Sequence, residues 1–455
     1  MNKSVHVEEI PYFPDSCELF ERIRDLPRAA FLDSSAPQGS SGRYDILTAQ
    51  PWNTDVPDLR PGAGERETQQ FFNDLQVFQN EHYGGIQPVS SDIPFCGGLL
   101  GYLGYDVGKG LHDIPRAASS PRFPAVQLCA YDWCVVQDHL LQRATLVFQS
   151  RVGAQERRDI KDRLTQPARS SAARFELHSR FTSSVSPQQY ETAFERIQRY
   201  IQDGDCYQVN LTRCFSAQYS GDTWVAYRAL RKLAAAPFSA YLSLAEGATL
   251  LCLSPERFIS LHGHRVETSP IKGTRPRHAD PQQDELARHE LRASLKDRAE
   301  NLMIVDLLRN DLGRSCVPGS IHVDRLFDIQ SFPTVHHLVS TISGEIHGGR
   351  DAWDLLRDSF PGGSITGAPK RRAMEVIEEL ETHERDIYCG SVVYVSADGR
   401  MDSNIAIRSL FCDQGVMRCW GGGGIVADSN CQQEYQESYD KISKFLTALE
   451  ASLNG

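Results

Sequence analysis

A change of hydrophobic period near residue 205 constrains this chain more than any other feature. Tyr190, Phe194, Ile197 and Ile201 recur at helical spacing. They follow a helix-start signature, with Ser186 as N-cap, Pro187 in the first turn and Gln189 as capping-box partner. Gly204 can end that helix. From 206 to 215 the period drops to two: Tyr207, Val209, Leu211 and Phe215 point one way, Gln208, Asn210 and Thr212 the other. The switch recurs further on, where helices are predicted around 284–312, 369–380 and 431–450, alternating with strands around 389–397, 404–413 and 416–420. A hairpin is expected with arms 250–261 and 264–271 and His262–Gly263 near its turn. Antiparallel strands interleaved with helices predict an α+β architecture, not a Rossmann-type sheet.

Upstream, 125–136 (AVQLCAYDWCVV) and 144–149 (ATLVFQ) read as strands, and the glycine-rich 96–108 lets backbone segments pack closely. The stretch 166–185 is polar, rich in Ser and Arg and without apolar period. The chain therefore divides into an N-terminal region, 1–165, a linker or meandering surface segment, 166–185, and a C-terminal domain, 186–455. With 455 residues, 40% of them hydrophobic, it can bury one large core or two ordinary ones. No apolar run approaches a membrane span, and MNKSVHVEEIPYF lacks a secretory pattern, so a cytoplasmic protein is expected. A net charge of −11 argues against nucleic acid as a partner. The 12 cysteines contain no C-x-x-C pair and no zinc spacing, which predicts reduced, mostly buried thiols.

Six segments offer chemistry. In KDRAENLMIVDLLRNDL, 296–312, Glu300 stands one turn from Lys296 and Ile304. In QEYQESYDKISKFL, 433–446, Glu434, Glu437 and Lys441 share a stripe beside Tyr435, Tyr439, Ile442 and Leu446. Carboxylates beside an apolar stripe can project into a cavity and hold Mg²⁺; from the spacing alone a solvated acidic face with i,i+4 pairing is the plainer reading. PGGSITGAPKRRAME, 361–375, opens a helix at Pro369 and is either an anion-facing helix start or an entry turn; it fails the phosphate-loop pattern. Four glycines, 421–424, follow a strand and favour close approach of backbone to a ligand. SPERF, 254–258, and PIKGTRPR, 270–277, carry Glu256 and Lys272, which on two hairpin arms would reach one face. A lysine nucleophile must be uncharged, which takes burial or nearby positive charge; a surface lysine paired with a carboxylate is the plain alternative.

Read in order, SPERF, PIKGTRPR, KDRAENLMIVDLLRNDLGR, FPTVHHLVSTI, FPGGSITGAPKRRAME, IAIRS, GGGGIVADS and EYQESYDK resemble the chorismate-binding enzyme family. That family includes anthranilate, aminodeoxychorismate, isochorismate and salicylate synthases. The resemblance implies two antiparallel sheets packed face to face, helices outside and the site between them. It implies Mg²⁺ at Glu300 and Glu437 with Glu434 in support, and carboxylate holders at Tyr394, Arg408, Gly422, Gly423, Gly424 and Lys441. His337, Ser364 and Thr274 would lie by the substrate ring.

Two positions choose among members. Where the water-activating members carry a lysine this chain has Gln208, and Lys272 stands where anthranilate synthases read alanine, as in the aminodeoxychorismate synthase branch. The resemblance then implies that Lys272 attacks chorismate while Glu256 acts as general acid. It also implies that ammonia arrives from a separate glutamine amidotransferase subunit. Leu32, Ser34, Arg43, Tyr44, Pro237, Phe238 and Ser239 resemble the family's tryptophan pocket. An anthranilate-forming enzyme and a non-catalytic chorismate-binding homologue are the competing expectations.

Overall fold

The strand that follows the Ser186-capped helix organises the molecule. The computed structural model describes residues 4–35, 42–115, 123–167, 173–332 and 335–454; residues 168–172 of the expected linker and 333–334 of the FPTVHHLVSTI block lie outside them. The helix runs Pro187–Gln202 with the capping box formed. Strand β1, Gln208–Gly221, comes next and pairs antiparallel with β7, Val416–Ile425. Between them in sequence are β2 (Thr249–Ser254), β3 (Arg257–His262), β4 (Arg265–Thr268), β5 (Ile271–Pro276), helix α1 (Leu295–Leu312) and β6 (Val335–Glu345). Helix α2, Cys431–Glu450, follows β7.

Among the described residues the strands form two antiparallel sheets, one of 13 strands and one of nine. The first contains β2, β7 and β1; the second contains β5, β6, β4 and β3. Both also take N-terminal strands: Ala30–Asp33 pairs with Phe238–Ser243 in the first, and Gly98–Leu103 pairs with Ser391–Ser396 in the second. Short strands Phe175–Leu177 and Thr182–Ser183 run along β1. Part of the stretch 166–185 thus joins the first sheet, and Glu176, Thr182 and Ser183 on these strands face water.

Period-two patterning builds two cores from one strand. Leu250 and Cys252 of β2 enter a core between the sheets with Phe258, Val266, Ile342 and Val393. Leu251 and Leu253 enter a second core under helices with Trp224, Tyr227, Phe445 and Leu446. The 12 cysteines are unpaired, and all but Cys214 and Cys431 are buried.

The expected hairpin is half right. Its turn and arms 257–262 and 265–268 are present, with Leu261 opposite Val266. The run 250–261 is however two strands in two sheets: Ser254 pairs with Phe238 in the first, Arg257 with Asn404 in the second. Pro255, which has no N–H to give a ladder, stands in the gap, and Glu256 crosses the seam beside it.

The glycines of β7 let α2 sit directly on the sheet. A Cβ at Gly421 would lie 2.0 Å from the Ser438 carbonyl oxygen. Arg213 locks the contact, donating Nε to Ser438 Oγ at 2.9 Å and Nη2 to the Tyr435 carbonyl at 2.7 Å. The inward stripe of α2 is Glu434, Ser438, Ile442, Phe445 and Leu446, while Tyr439 is exposed. Backbone cannot move aside as a side chain does, so Gly421→Ala is expected to cost stability at the upper end of about 1–3 kcal/mol. Urea unfolding should show it as a lower midpoint with unchanged slope; a midpoint equal to wild type would mean that the helix is not seated in this way.

Candidate active site

A cavity of about 520 Å³ opens in the seam, where β2 gives way to β3. Glu256, Lys272, Thr274, Glu300, His337, Ser364, Arg408, Gly422, Gly424, Glu434, Glu437 and Lys441 all line it. These positions come from separate blocks spanning nearly 200 residues of sequence, and the fold alone brings them together.

Lys272 reaches the cavity because β5 is bulged. Ile271 pairs with Val339 and Thr274 with His337, so three steps on β5 match two on β6. Gly273 takes the left-handed conformation that the bulge requires, φ +86°, where a Cβ would also meet Asp297 and Leu291 at 2.9 Å. Lys272 Nζ donates to the Ser364 carbonyl at 3.0 Å. Burial lowers its pKa against the pull of Glu256, and Lys441 lowers it further.

Glu256 is buried, and burial raises its carboxyl pKa. Lys272, the Ser364 hydroxyl, the Ile271 N–H and Arg408 oppose that rise. Ser364 therefore addresses both groups, its carbonyl taking the amine and its hydroxyl the carboxylate. Its turn is pressed against neighbours by two glycines: a Cβ on Gly363 would meet Leu307 of α1 at 2.5 Å, and one on Gly362 would meet Ile405 at 2.5 Å.

Across the cavity, Glu300 projects from α1 and Glu434, Glu437 and Lys441 from α2. Burial raises the pKa of Glu300 and of Glu434, while Lys441 lowers that of Glu437. Lys441 Nζ bonds Glu437 Oε1 at 2.9 Å and the Gly422 carbonyl at 2.9 Å; Ser429 donates to Glu434 Oε1 at 2.7 Å. Gly423 faces this group, since a Cβ there would be 3.1 Å from Glu434 Oε2 and 3.5 Å from Lys441 Nζ. Arg408, with φ +53°, is held lower in pKa by burial and has no ion-pair partner among the described residues. A half-buried guanidinium with no ion pair, and only the longer-range pull of Glu256, suits an anionic ligand.

Two expected residues stand elsewhere. Gln208 is buried one layer behind the wall, where a Cβ on Gly424 would lie 2.6 Å from its Nε2, and neither amide atom has a partner. Tyr394 does not reach the cavity. It sits in the second sheet opposite Leu100 and Asp402, packs edge-on to Phe95 at 5.4 Å and lines a different cavity. The tyrosine at the site is Tyr388, whose ring stacks on Trp420 at 6.0 Å. Asn210, with an unpartnered Oδ1, also lines the site; the alternation of β1 already put it on the face of Gln208 and Thr212.

The different cavity, about 650 Å³, is lined by Leu32, Ser34, Arg43, Tyr44, Pro237, Phe238 and Ser239, the whole set expected to form one pocket. Asp45 fixes Ser34 through bonds of 2.7 Å from its N–H and 2.6 Å from its hydroxyl. Pro237, Pro255, Ile271 and Phe332 line both cavities and form a common wall.

A buried acid, an amine of lowered pKa and a facing set of carboxylates, all in the seam of a two-sheet fold, define an enzyme site for a small, multiply charged molecule. The sequence profile of the chorismate binding enzyme family matches residues 33–447, and the chain belongs to that family. It is 45% identical over 451 residues to aminodeoxychorismate synthase component 1 of Klebsiella aerogenes, covering 97% of this chain and 98% of that one. It is 36% identical to anthranilate synthase component 1 of Streptomyces coelicolor, over 94% and 85% of the two chains. The crystal structure of anthranilate synthase component I from Streptococcus pneumoniae TIGR4 superposes with a TM-score of 0.74 at 28% identity, covering 90% of this chain and 93% of that one.

Burial holds the His337 imidazole at about 3, neutral and bonded to Thr274 Oγ1 at 2.8 Å, and holds His112 at about 4. Unfolded, both take up protons near 6.5. Their neutral forms contribute stability that is complete above about pH 6.5 and is lost as pH falls towards 4. Urea midpoints should decline through that window. His112→Gln, which retains a donor for the Phe360 carbonyl, should decline less steeply, and an identical slope would assign the loss to carboxylates instead.

Proposed function

We propose that this protein is the synthase that converts chorismate and ammonia to 4-amino-4-deoxychorismate. The observation that carries the reading is Lys272: an amine lowered in pKa by burial, 3.0 Å from the Ser364 carbonyl and in electrostatic contact with a buried acid. An alanine there could make no covalent bond. The 45% identity to an aminodeoxychorismate synthase component, against 36% to an anthranilate synthase component, supports the same choice.

In the proposed reaction the neutral Lys272 amine bonds to C2 of the ring. The ring double bonds shift and the C4–oxygen bond breaks. Glu256, its carboxyl pKa raised by burial, gives a proton to the departing hydroxyl, which leaves as water. Ammonia then bonds to C4, the double bonds shift back, and Lys272 departs with a proton. Two allylic displacements thus replace one difficult substitution. Arg408, Lys441 and the backbone N–H groups of 422–424 would hold the substrate carboxylates, with Tyr388 and His337 against the ring.

Mg²⁺ fits the opposite wall. Glu300 and Glu434 are raised in pKa by burial, a situation that a cation relieves. No group of three or more His, Cys, Asp or Glu side chains among the described residues forms a ready-made metal shell, and Mg²⁺ typically keeps waters and takes one or two carboxylates plus its ligand. Glu300, Glu434 and Glu437 would hold it, and when bound it would orient the ring carboxylate and neutralise its charge.

Ammonia would come from a separate glutamine amidotransferase subunit, and the product would serve 4-aminobenzoate and folate synthesis in the cytoplasm. No helix among the described residues is long and apolar enough to cross a membrane. The second cavity would take tryptophan or a similar aromatic amino acid.

The test is incubation with chorismate, Mg²⁺ and ammonium, with product identification, beside intact-protein mass spectrometry after chorismate alone. Wild type should yield aminodeoxychorismate and a covalent adduct of chorismate less water. Lys272→Ala should show no adduct, and Glu256→Gln should lose about 10²–10⁴-fold in kcat. Anthranilate as product, or turnover that survives without Lys272, would refute the proposal.

A further inference from the structure

Behind the Ser364 turn lies an ion pair that the reaction above does not use. Arg385 and Glu381 are almost wholly buried, with side chains 1% and 3% exposed. The guanidinium grips the carboxylate in a fork, Nε to Oε2 at 2.8 Å and Nη2 to Oε1 at 2.7 Å. It also bonds two backbone carbonyls: Nη1 donates to Ile365 at 3.0 Å and Nη2 to Asn210 at 2.8 Å. The Tyr105 ring covers the guanidinium at 4.7 Å. Glu381 completes the frame, its Oε1 accepting from the Thr212 N–H at 2.9 Å and the Thr212 hydroxyl at 2.7 Å.

Stability alone does not account for such a pair. Burying two charges is costly, and apolar side chains of similar volume commonly serve a core as well or better. What apolar groups cannot do is set the separation of two carbonyl oxygens. One of these belongs to the residue after Ser364, the other to Asn210 in the adjoining cavity wall. A rigid planar fork can span both while holding its counter-ion; a lysine, one point charge on a flexible stem, cannot.

We infer that Arg385, locked by Glu381, is a positioning residue that holds the Ser364 turn at the spacing from β1 at which Ser364 meets Lys272 and Glu256 together. The inference rests on the reaction proposed above. Arg385 touches neither substrate nor metal side chains; it acts through Ser364. Displacement of the turn by about 1 Å would slow attack by about 10²-fold while leaving the groups that grip the substrate in place.

The experiment follows the chorismate adduct by intact mass against time, without ammonia, in wild type, Arg385→Lys and Glu381→Gln. It also measures kcat and the chorismate KM with ammonium, and the melting temperature of each protein. Arg385→Lys is expected to form the adduct about 10²-fold more slowly, with KM little changed. Glu381→Gln, a smaller lesion that can still accept from Thr212, is expected to show the same defect more weakly. Arg385→Ala should be partly rescued by added guanidinium, as Lys272→Ala should not. An adduct formed by Arg385→Lys at the wild-type rate would overturn the inference. So would losses in kcat, KM and melting temperature that rise together across the variants. If Arg385→Lys does not fold, Glu381→Gln decides by the same two criteria. Absence of any adduct on wild type would instead remove the proposed reaction, and this inference with it.

Discussion

Placing a carboxyl and an amine together in the dry seam between two sheets is the constraint on which the rest of this structure depends. Neither group is easily charged there, so each is driven towards its neutral form, and the partner's charge restrains the drift. A continuous strand would have presented both side chains on a regular ladder. Instead the chain leaves one sheet at Pro255 and enters the other at Arg257, and it swells at Lys272–Gly273. Ser364 closes the arrangement because it reaches both groups, one with its carbonyl and one with its hydroxyl.

The surrounding charges sort themselves by wall. Lys272 and Arg408 stand with Glu256 near the seam, and Glu300, Glu434 and Glu437 stand opposite with Lys441 among them. A molecule bearing carboxylates at one end and held through a cation at another would meet complementary charge on both sides, in a chain of net charge −11. The second cavity shares Pro237, Pro255, Ile271 and Phe332 with the first. Pro255 precedes Glu256 and Ile271 precedes Lys272, so the backbone that separates the cavities is the backbone that carries the acid and the amine.

Much of the fold was legible because its patterns are local. The capping box of Ser186 and Gln189, the alternation of β1 and the turn at His262–Gly263 each depend on neighbours a few residues away. The readings that went astray depended on distant partners. The run 250–261 looks like one strand because apolar residues flank Ser254–Arg257 on both sides, and the pairing of Ser254 with Phe238 and of Arg257 with Asn404 divides it. Tyr394 and Tyr388 are both buried aromatics beside short apolar runs, and nothing in their spacing shows which cavity either faces. The four glycines were expected to approach a ligand; Gly421 lines the cavity and also approaches a helix, because Ser438 leaves its backbone bare to contact.

By itself the sequence determined the element types, the acidic character and the residue kinds available for chemistry, since propensity, periodicity and charge are properties of a stretch of chain. It also determined, through eight ordered blocks, the family to which the chain belongs. Tertiary structure decided what those residues are: whether Lys272 is a surface cation or a half-buried amine lining the cavity, and whether Glu256 faces water or the seam. Burial and electrostatic proximity are made by segments far apart in the chain, and a pKa responds to whatever surrounds the group in space, not to its neighbours in order.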